Sequence, residues 1–468
     1  YGGYVQADGL QTIGYDHGDY NVATNYVKGN NSYTVFAGAN YSYVDGTETW
    51  NNENYQFPQF LFDRESYSKN SYRNHQEYMQ FRYQNQKGKR YWVGKFTLVN
   101  LSTPRNASSG FARESTETDI FSNIRKKSLS PKIDLNANLP LSKNQTLTLG
   151  VHGKYSANSY HRLYQEQPFE AMTDEDEKAL SFQLSAIYNY FSQKHSLSVE
   201  LFHYHDVWNA DYSGNCELWQ HLWKGESLAF FSYNFQASRR LSLKTRIGLD
   251  WLQYHLHGDN SFSQLSPRIN TNVQYQLNKG MLLWSFNFVN SNHGMDVINR
   301  AMIQVNSHMM EKGMPELKKS HDINTYLYYM GRFNRLSVSA IGQFRYNHHP
   351  VTDDYYLDEA NRKIVKTYSN GGNAQYYSAI LALQYKLCKF ANLSGDIRYN
   401  HAEVKTTWSK HNNNLTGNLG LNMFMGDFAL KPYLHFGKKS LDEAALVISK
   451  TPIDYGMSCS YSLSLIHI

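Results

Sequence analysis

The sequence predicts an all-β fold, a large antiparallel up-and-down transmembrane β-barrel, and three observations predict it. Composition is the first: among 468 residues, Tyr contributes 38, Phe 24 and Trp 8, whereas Pro contributes 10. Aromatic side chains suit the pleated, half-buried surface of a strand. Hydropathy is the second. The mean is −0.62, and the absence of any apolar run of about 18 residues excludes transmembrane helices but leaves strands that are apolar on one face only. The third is a recurring alternation of apolar and polar residues, with the period of two that sends successive side chains to opposite faces.

The alternation predicts strands in order along the chain. Over residues 32–43, Tyr33, Val35, Ala37, Ala39, Tyr41 and Tyr43 oppose Ser32, Thr34, Asn40 and Ser42, with Phe36 the exception. Over residues 129–139, Leu129, Ile133, Leu135, Ala137 and Leu139 alternate with Ser130, Lys132, Asp134, Asn136 and Asn138, so the polar face carries charge. Leu147, Leu149, Val151 and Tyr155 then oppose Thr146, Thr148, His152 and Lys154, and residues 241–251 turn Lys244, Arg246 and Asp250 inward. The last predicted strand covers residues 453–462, with Ile453, Tyr455, Met457, Cys459 and Tyr461 on one face.

Connections alternate in length. Short ones at Lys28-Gly29-Asn30-Asn31, Lys87-Gly88-Lys89-Arg90, Ser142-Lys143-Asn144-Gln145, Leu277-Asn278-Lys279-Gly280 and Gly426-Asp427 carry the Gly and Asn that hairpin turns need. Long ones are predicted over residues 44–76, 102–127, 206–225, 291–320 and 347–375. Tight turns on one rim and long loops on the other are the pattern of outer-membrane barrels, whose neighbouring strands satisfy every backbone group inside the bilayer. Counting segments from Gly3 gives about twenty strands, each long enough at roughly 3.3 Å per residue to cover the apolar band.

Other classes are excluded or unsupported. A formal net charge of +6 is small for this length and scattered, so no nucleic-acid partner is predicted. Cys216, Cys388 and Cys459 lack metal-ligand spacing and form an odd set. There is no nucleophile elbow, phosphate loop, zinc signature or paired-carboxylate motif, so neither catalytic residues nor a cofactor nor a metal is predicted. The chain opens Tyr1-Gly2-Gly3-Tyr4, without an initiator Met, although a protein of this class is exported. Residues 463–468 read like the translation of a sequencing-library adapter, so the barrel is expected to occupy residues 1–462.

Three places, two of them motifs, carry a family resemblance. Leu265-Ser266-Pro267-Arg268-Ile269, followed by the Tyr275 to Gly280 strand end and turn, resembles the L-S-P-R strand of the TonB-dependent outer-membrane receptors, particularly the Bacteroidetes-type group. Met314-Pro315-Glu316-Leu317-Lys318-Lys319-Ser320-His321 resembles that family's N-P-x-L-K-P-E-x-S-H loop-to-strand entry, with Lys319 in place of the usual Pro and without the following acid. The opening residues 1–43 are similar to the first barrel strands that follow the family's plug. The resemblance implies a barrel of about twenty-two strands, of which the final hairpin would lie beyond this chain. It also implies a preceding plug, TonB-type energy coupling, outer-membrane lipid around the barrel and a surface lipoprotein as candidate partner. The function it implies is energy-coupled uptake of a scarce nutrient across the outer membrane of a Gram-negative bacterium. The alternatives are a structural, adhesive or passive porin-like barrel and, less well supported, an outer-membrane hydrolase.

Candidate ligand contacts follow from residue chemistry. His203 and His205, spaced two apart, share a strand face, as do His255 and His257, and His348-His349 sit at a loop junction. They are candidates for a metal or haem contact, against the competing reading that imidazole, like Tyr, suits the interface belt. Trp50, Trp219 and Trp223 lie in predicted loops and are candidates for stacking on a ligand. The run Asp174-Glu175-Asp176-Glu177 is read as a solvated loop tip rather than a Ca²⁺ site. Lys132, Lys154, Lys244, Arg246, Arg268, Arg345 and Arg398, with Asp134, Asp250 and Asp396, are placed on the lumen face. Mutual pairing there is the economical reading, and contact with a plug or an anionic solute is the alternative. Tyr41, Tyr43, Trp92, Tyr188, Tyr190, Trp251, Tyr254, Trp284 and Tyr346 are read as interface girdles.

Overall fold

A computed structural model describes residues 2–12, 16–58, 60–259, 261–291, 294–437 and 439–461. The expectations about Tyr1 and about residues 463–468 lie outside the described residues. The chain runs up and down through thirteen strands in succession: β1 (Gly2–Gln11), β2 (Asp16–Lys28), β3 (Asn31–Phe57), β4 (Phe60–Lys87), β5 (Arg90–Arg113), β6 (Glu117–Ser142), β7 (Gln145–Glu166), β8 (Phe169–Phe191), β9 (His195–Gly214), β10 (Leu218–Gln236), β11 (Leu241–Leu256), β12 (Ser261–Leu277) and β13 (Gly280–Ser291). A loop follows that holds helix α1 (Met295–Ile298), β14 (Met302–Gln304) and β15 (Met309–Lys312). The wall resumes with β16 (Ser320–Phe333) and β17 (Leu336–His348), breaks for β18 (Thr352–Asp358) and β19 (Lys363–Ser369), and continues through β20 (Asn373–Lys386), β21 (Ala391–Lys405), β22 (Ser409–Met425) and β23 (Phe428–Phe436). A small hairpin of β24 (Lys439–Asp442) and β25 (Val447–Lys450) precedes the last wall strand, β26 (Asp454–Tyr461).

Twenty of these strands form one antiparallel sheet, a large up-and-down β-barrel wall. The strand β1 pairs with β2 and β26 with β23; among the described residues no ladder joins β1 to β26. Every short turn predicted from the sequence is a hairpin turn. Gly29, Gly88 and Gly426 adopt φ of +58°, +60° and +64° there, which an L residue with a Cβ rarely adopts. The alternation is also observed: Leu129, Ile133 and Leu135 of β6 are exposed, whereas Ser130 between them is buried. Facing lipid rather than water is what makes exposed leucines the stable arrangement.

Three of the predicted loops are not loops. Residues 44–76 continue β3 and β4 up to a turn between Phe57 and Phe60, residues 102–127 continue β5 and β6, and residues 206–225 continue β9 and β10. The acidic run at Asp174 to Glu177 lies within β8, not at a loop tip. Above the membrane both faces of a strand meet water or polar protein, so the alternation that announces a strand disappears. The Tyr, Thr and Asn composition still favours extended pairing, and the ladder satisfies the backbone. The 27 residues of β3 rise roughly 70 Å at a tilt near 40°, far beyond the hydrocarbon thickness of about 30 Å.

The two connections that are true loops meet. Strand β14 pairs with β15, β15 runs parallel to β19, and β19 pairs with β18, giving a four-stranded sheet assembled from both loops. Its neighbour α1 packs Met295 and Ile298 against Ala210, Tyr212, Leu222 and Leu256. Since Leu222 and Leu256 have the parity opposite to the lipid-facing Phe231 and Trp251 of their strands, this core sits on the inner wall. The loops therefore fold inward as a roof over the upper lumen.

Candidate functional site

Two buried charged clusters fix the roof to the wall. In the first, Arg64 of β4 donates from Nη2 to Glu166 Oε1 of β7 at 2.9 Å and to Tyr164 OH at 3.1 Å. Tyr164 OH in turn donates to Glu166 Oε2 at 2.8 Å, where Ser307 Oγ of the roof also donates at 2.8 Å. Arg64 Nη1 lies 3.0 Å from His308 Nδ1. A guanidinium can only donate, so Nδ1 accepts and the proton of a neutral His308 is on Nε2, which faces Glu53 Oε2 at 3.5 Å. The nearby His308 ring holds the Glu53 carboxyl below its usual range against the opposing effect of burial, and Arg64 adds to the lowering. Burial pushes the Tyr164 hydroxyl up to about 12, with Arg64 acting the other way. Arg162 completes this edge by donating to the carbonyls of Gln304, at 3.0 Å, and Val305.

The second cluster joins the two resemblance motifs. Asp250 of β11 is fully buried, and its Oδ2 accepts from Arg268 Nη2 at 2.6 Å and Nε at 3.0 Å and from Lys319 Nζ at 2.9 Å. Arg268 also reaches Glu226 Oε1 at 3.1 Å. Arg268 belongs to the Leu265–Ile269 motif and Lys319 to the Met314–His321 motif. The departure at Lys319 from the family pattern thus supplies a buried ammonium that ties the roof's exit to the barrel wall. Isolated buried charges are costly, so these groups are stable only as a set. A neutral third anchor lies alongside: Gln220 Nε2 donates to Asn299 Oδ1 at 2.9 Å and Gln220 Oε1 accepts from the Arg300 backbone at 2.8 Å.

Between the two loops lies an open cleft of ≈ 730 Å³, within the range of a small-molecule site. Arg300, Lys312, Tyr356 and Tyr368 are among its lining residues. Asp354, also lining it, is held by Trp408 Nε1 at 2.8 Å and Thr407 Oγ1 at 3.1 Å. The loop margin is closed by Asn370, which bonds both the amide and the carbonyl of Lys318.

The sequence candidates divide by face. Arg246 pairs with Glu200 at 2.6 Å, Arg268 with Asp250, and Arg345 with Asp322 at 2.6 Å, on the lumen side. Lys132 and Lys154 stand directly opposite each other in the β6–β7 ladder. For these two, Lys244 and Arg398, no ion pair is found among the described residues. His203 and His205 share the parity of the exposed Val199 and Leu201 in a ladder without bulges, so they face outward. His203 Nδ1 bonds Ser227 Oγ at 2.9 Å, and His205 Nε2 accepts from Trp223 Nε1 at 3.1 Å. Trp219 stacks on His221 and meets His257 edge-on. These residues are strand positions at the outward surface, not loop residues over the lumen, which accords with an interface belt. Trp50 is likewise an outward strand residue, packed on Tyr67 and Phe111. Outward-facing His348 lies opposite His321, whereas His349, at φ +60°, bonds the Asn370 carbonyl at 2.9 Å and closes the loop margin. Among the described residues no group of three or more metal-ligating side chains converges. Of the predicted girdle, Tyr254 is the exception: it turns inward, its hydroxyl 3.4 Å from the Pro315 carbonyl.

No family model matches the chain, and no curated protein is similar to it in sequence. Solved structures are similar in fold. The copper transporter OprC superposes with a TM-score of 0.66 at 11% identity, over 98% of this chain and 71% of that one. The siderophore receptor PiuA from Acinetobacter baumannii gives 0.60 at 10% identity, over 99% and 76%. The FrpB iron transporter from Neisseria meningitidis gives 0.58 at 8% identity, over 98% and 73%. The fold is therefore that of a TonB-dependent receptor barrel.

Proposed function

We propose that this chain is the barrel of an outer-membrane receptor that takes up a scarce nutrient by energy-coupled transport. The observation that carries the reading is the roof: two loops from one side of the barrel form a sheet over the lumen and are pinned to its inner wall by buried ion pairs. An open porin needs no such cover. The cleft between the two roof loops is the entry site, where a ligand would lie against Arg300, Lys312, Tyr356 and Tyr368. The fold neighbours transport copper or iron or receive siderophores, so metal ions and metal chelates are the first ligands to test. The lumen cations Lys132, Lys154, Lys244 and Arg398 would then meet a plug or an anionic solute on its way down. A TonB-type coupling partner and a surface lipoprotein are part of the same reading, as is residence in a Gram-negative outer membrane.

The test is uptake. Cells lacking the gene should lose accumulation of one labelled ligand among iron and copper chelates, vitamins, peptides and glycans, and lose it equally when the proton gradient is collapsed. Steady passive conductance of the purified protein in planar bilayers, with no ligand dependence, would instead establish a porin.

A further inference from the structure

The outer face of the tall side carries a row of like charges. Arg73 of β4 stands directly opposite Arg105 of β5 in the ladder. Arg125 of β6 lies opposite the bulge formed by Pro104 and Arg105 of β5, and Lys127 is two positions further down β6. All four side chains are exposed. Parity places them outward: β6 pairs with β7 without a shift from Arg125 to the exposed Leu129, Ile133 and Leu135, and β4 pairs with β3 without a shift from Arg73 to the exposed Met79 and Phe81; the shift between β4 and β5 below Arg73 puts its extra residue in β5.

Identical charges in directly opposed positions repel across a ladder. Among the described residues none of these four makes an ion pair. Arg73 lies over the ring of Tyr43 at 5.0 Å. Glu77, four positions below Arg73, accepts from Asn100 Nδ2 at 3.2 Å. The row ends on β7 at His161, which faces Arg125 and bonds Asp174.

Height supplies the ligand. On β6 the outward positions from Leu141 to Leu129 are apolar apart from their polar inward neighbours, and this stretch covers about 30 Å at a tilt near 40°, the thickness of a hydrocarbon core. Lys127 and Arg125 are the next two outward positions. The row therefore stands at headgroup level, on the rim that carries the roof.

We infer that Arg73, Arg105, Arg125 and Lys127 form a binding site for the phosphomonoester groups of an outer-leaflet lipid headgroup. Guanidinium forks bind phosphate oxygens in pairs, and a bound dianion removes the repulsion within the row. The inference rests on the membrane orientation of the proposed function. The acyl chains would lie along Leu129, Ile133 and Leu135 below.

The experiment measures binding of a bis-phosphorylated glucosamine-disaccharide lipid to the purified full chain in neutral detergent micelles. The same lipid stripped of phosphate and inorganic phosphate alone are the two comparison probes. Affinity of the intact chain should fall at least tenfold on dephosphorylation. In R73Q/R105Q/R125Q/K127Q it should fall by about fivefold for each charge removed, with heat-dependent gel mobility retained. The variant R73K/R105K/R125K, which keeps the charge and loses the forks, should bind more weakly than the intact chain and more tightly than the glutamine variant. Equal affinity for both lipids overturns the site, as does an unchanged affinity in the glutamine variant. Displacement of the lipid by inorganic phosphate at equal concentration would also overturn it, by assigning the row to a free anion. If the glutamine variant does not fold, the two lipids on the intact chain still decide. Recovery of the chain from the soluble fraction would instead defeat the membrane reading itself.

Discussion

The two halves of the wall reach the same outer rim by different means. Strands β3 to β10 run 19 to 28 residues and end in tight turns, whereas β11 to β13, β16, β17 and β20 to β22 run 12 to 17. The low side spends its outer residues on loops instead, and those loops lean on the tall side: His308 and Ser307 reach Arg64 and Glu166, and the Gln304 and Val305 carbonyls reach Arg162. A paired hairpin satisfies its own backbone and is stiff. A loop cannot do so alone, and it is ordered only by what it is pinned to. The tall side is therefore the fixed wall, and the low side supplies the part that, under the proposed receptor function, would move when a ligand binds or leaves.

The largest expected effect comes from the anchor between the halves of the motif pair. Asp250→Ala leaves Lys319 buried without its counter-charge and should cost about 3–5 kcal/mol, read as a lower temperature for the gel-mobility transition. Residues 313–320 should also exchange amide hydrogens faster. An unchanged transition would show that the low side holds itself. Next is Arg64→Ala, which unpairs the buried Glu166 and should cost about 3 kcal/mol or more. Its exchange signature should be confined to residues 302–312, leaving β3 and β4 protected; loss of protection along the hairpins would end the distinction between wall and roof. Gln220→Ala removes the neutral anchor and should cost roughly 1–3 kcal/mol, seen as faster exchange at residues 296–301.

Acid should act on the same contact more gently. Glu53 has its pKa lowered in the folded state, so its contribution is complete above the ordinary carboxylate value and is lost as pH falls through the lowered one. Exchange at residues 305–311 should rise only below about pH 4, while the tall hairpins stay protected. The smallest effect is expected at the hairpin tip, where the exposed Arg113 pairs with the exposed Glu117 at 2.6 Å. Arg113→Ala should leave the transition where it is.

Much of the wall was legible because a bilayer imposes a contrast that a sequence records. Leu129, Ile133 and Leu135 against Ser130 and Asp134 can be read from residue type alone, and so can Gly29, Gly88 and Gly426 at their turns. The extensions of β3 to β6 were not, because Ser, Thr, Asn and Tyr on both faces carry no alternation once water lies on each side. The site was less legible still. Arg64, Glu166 and His308 are separated by 102 and 244 positions from Arg64, and nothing local marks them. In the second cluster, alternation alone placed Asp250 and Arg268 on the lumen face, and Lys319 stood out only as a lysine where the resembling motif has a proline. His203, His205, Trp219 and Trp223 were chosen by chemistry, and only strand parity reveals that they face outward.

By itself the sequence determined the class of fold, the positions of the inner-rim turns and which face of each membrane strand meets lipid, because these follow from one-dimensional hydropathy and from glycine's backbone freedom. Only the tertiary structure decided how tall each strand stands, that the two loops form one sheet, and that Asp250, Arg268 and Lys319 share one buried site. Those depend on register and on long-range packing. They arise when distant segments are brought within a hydrogen bond of one another, and residue type alone does not specify that.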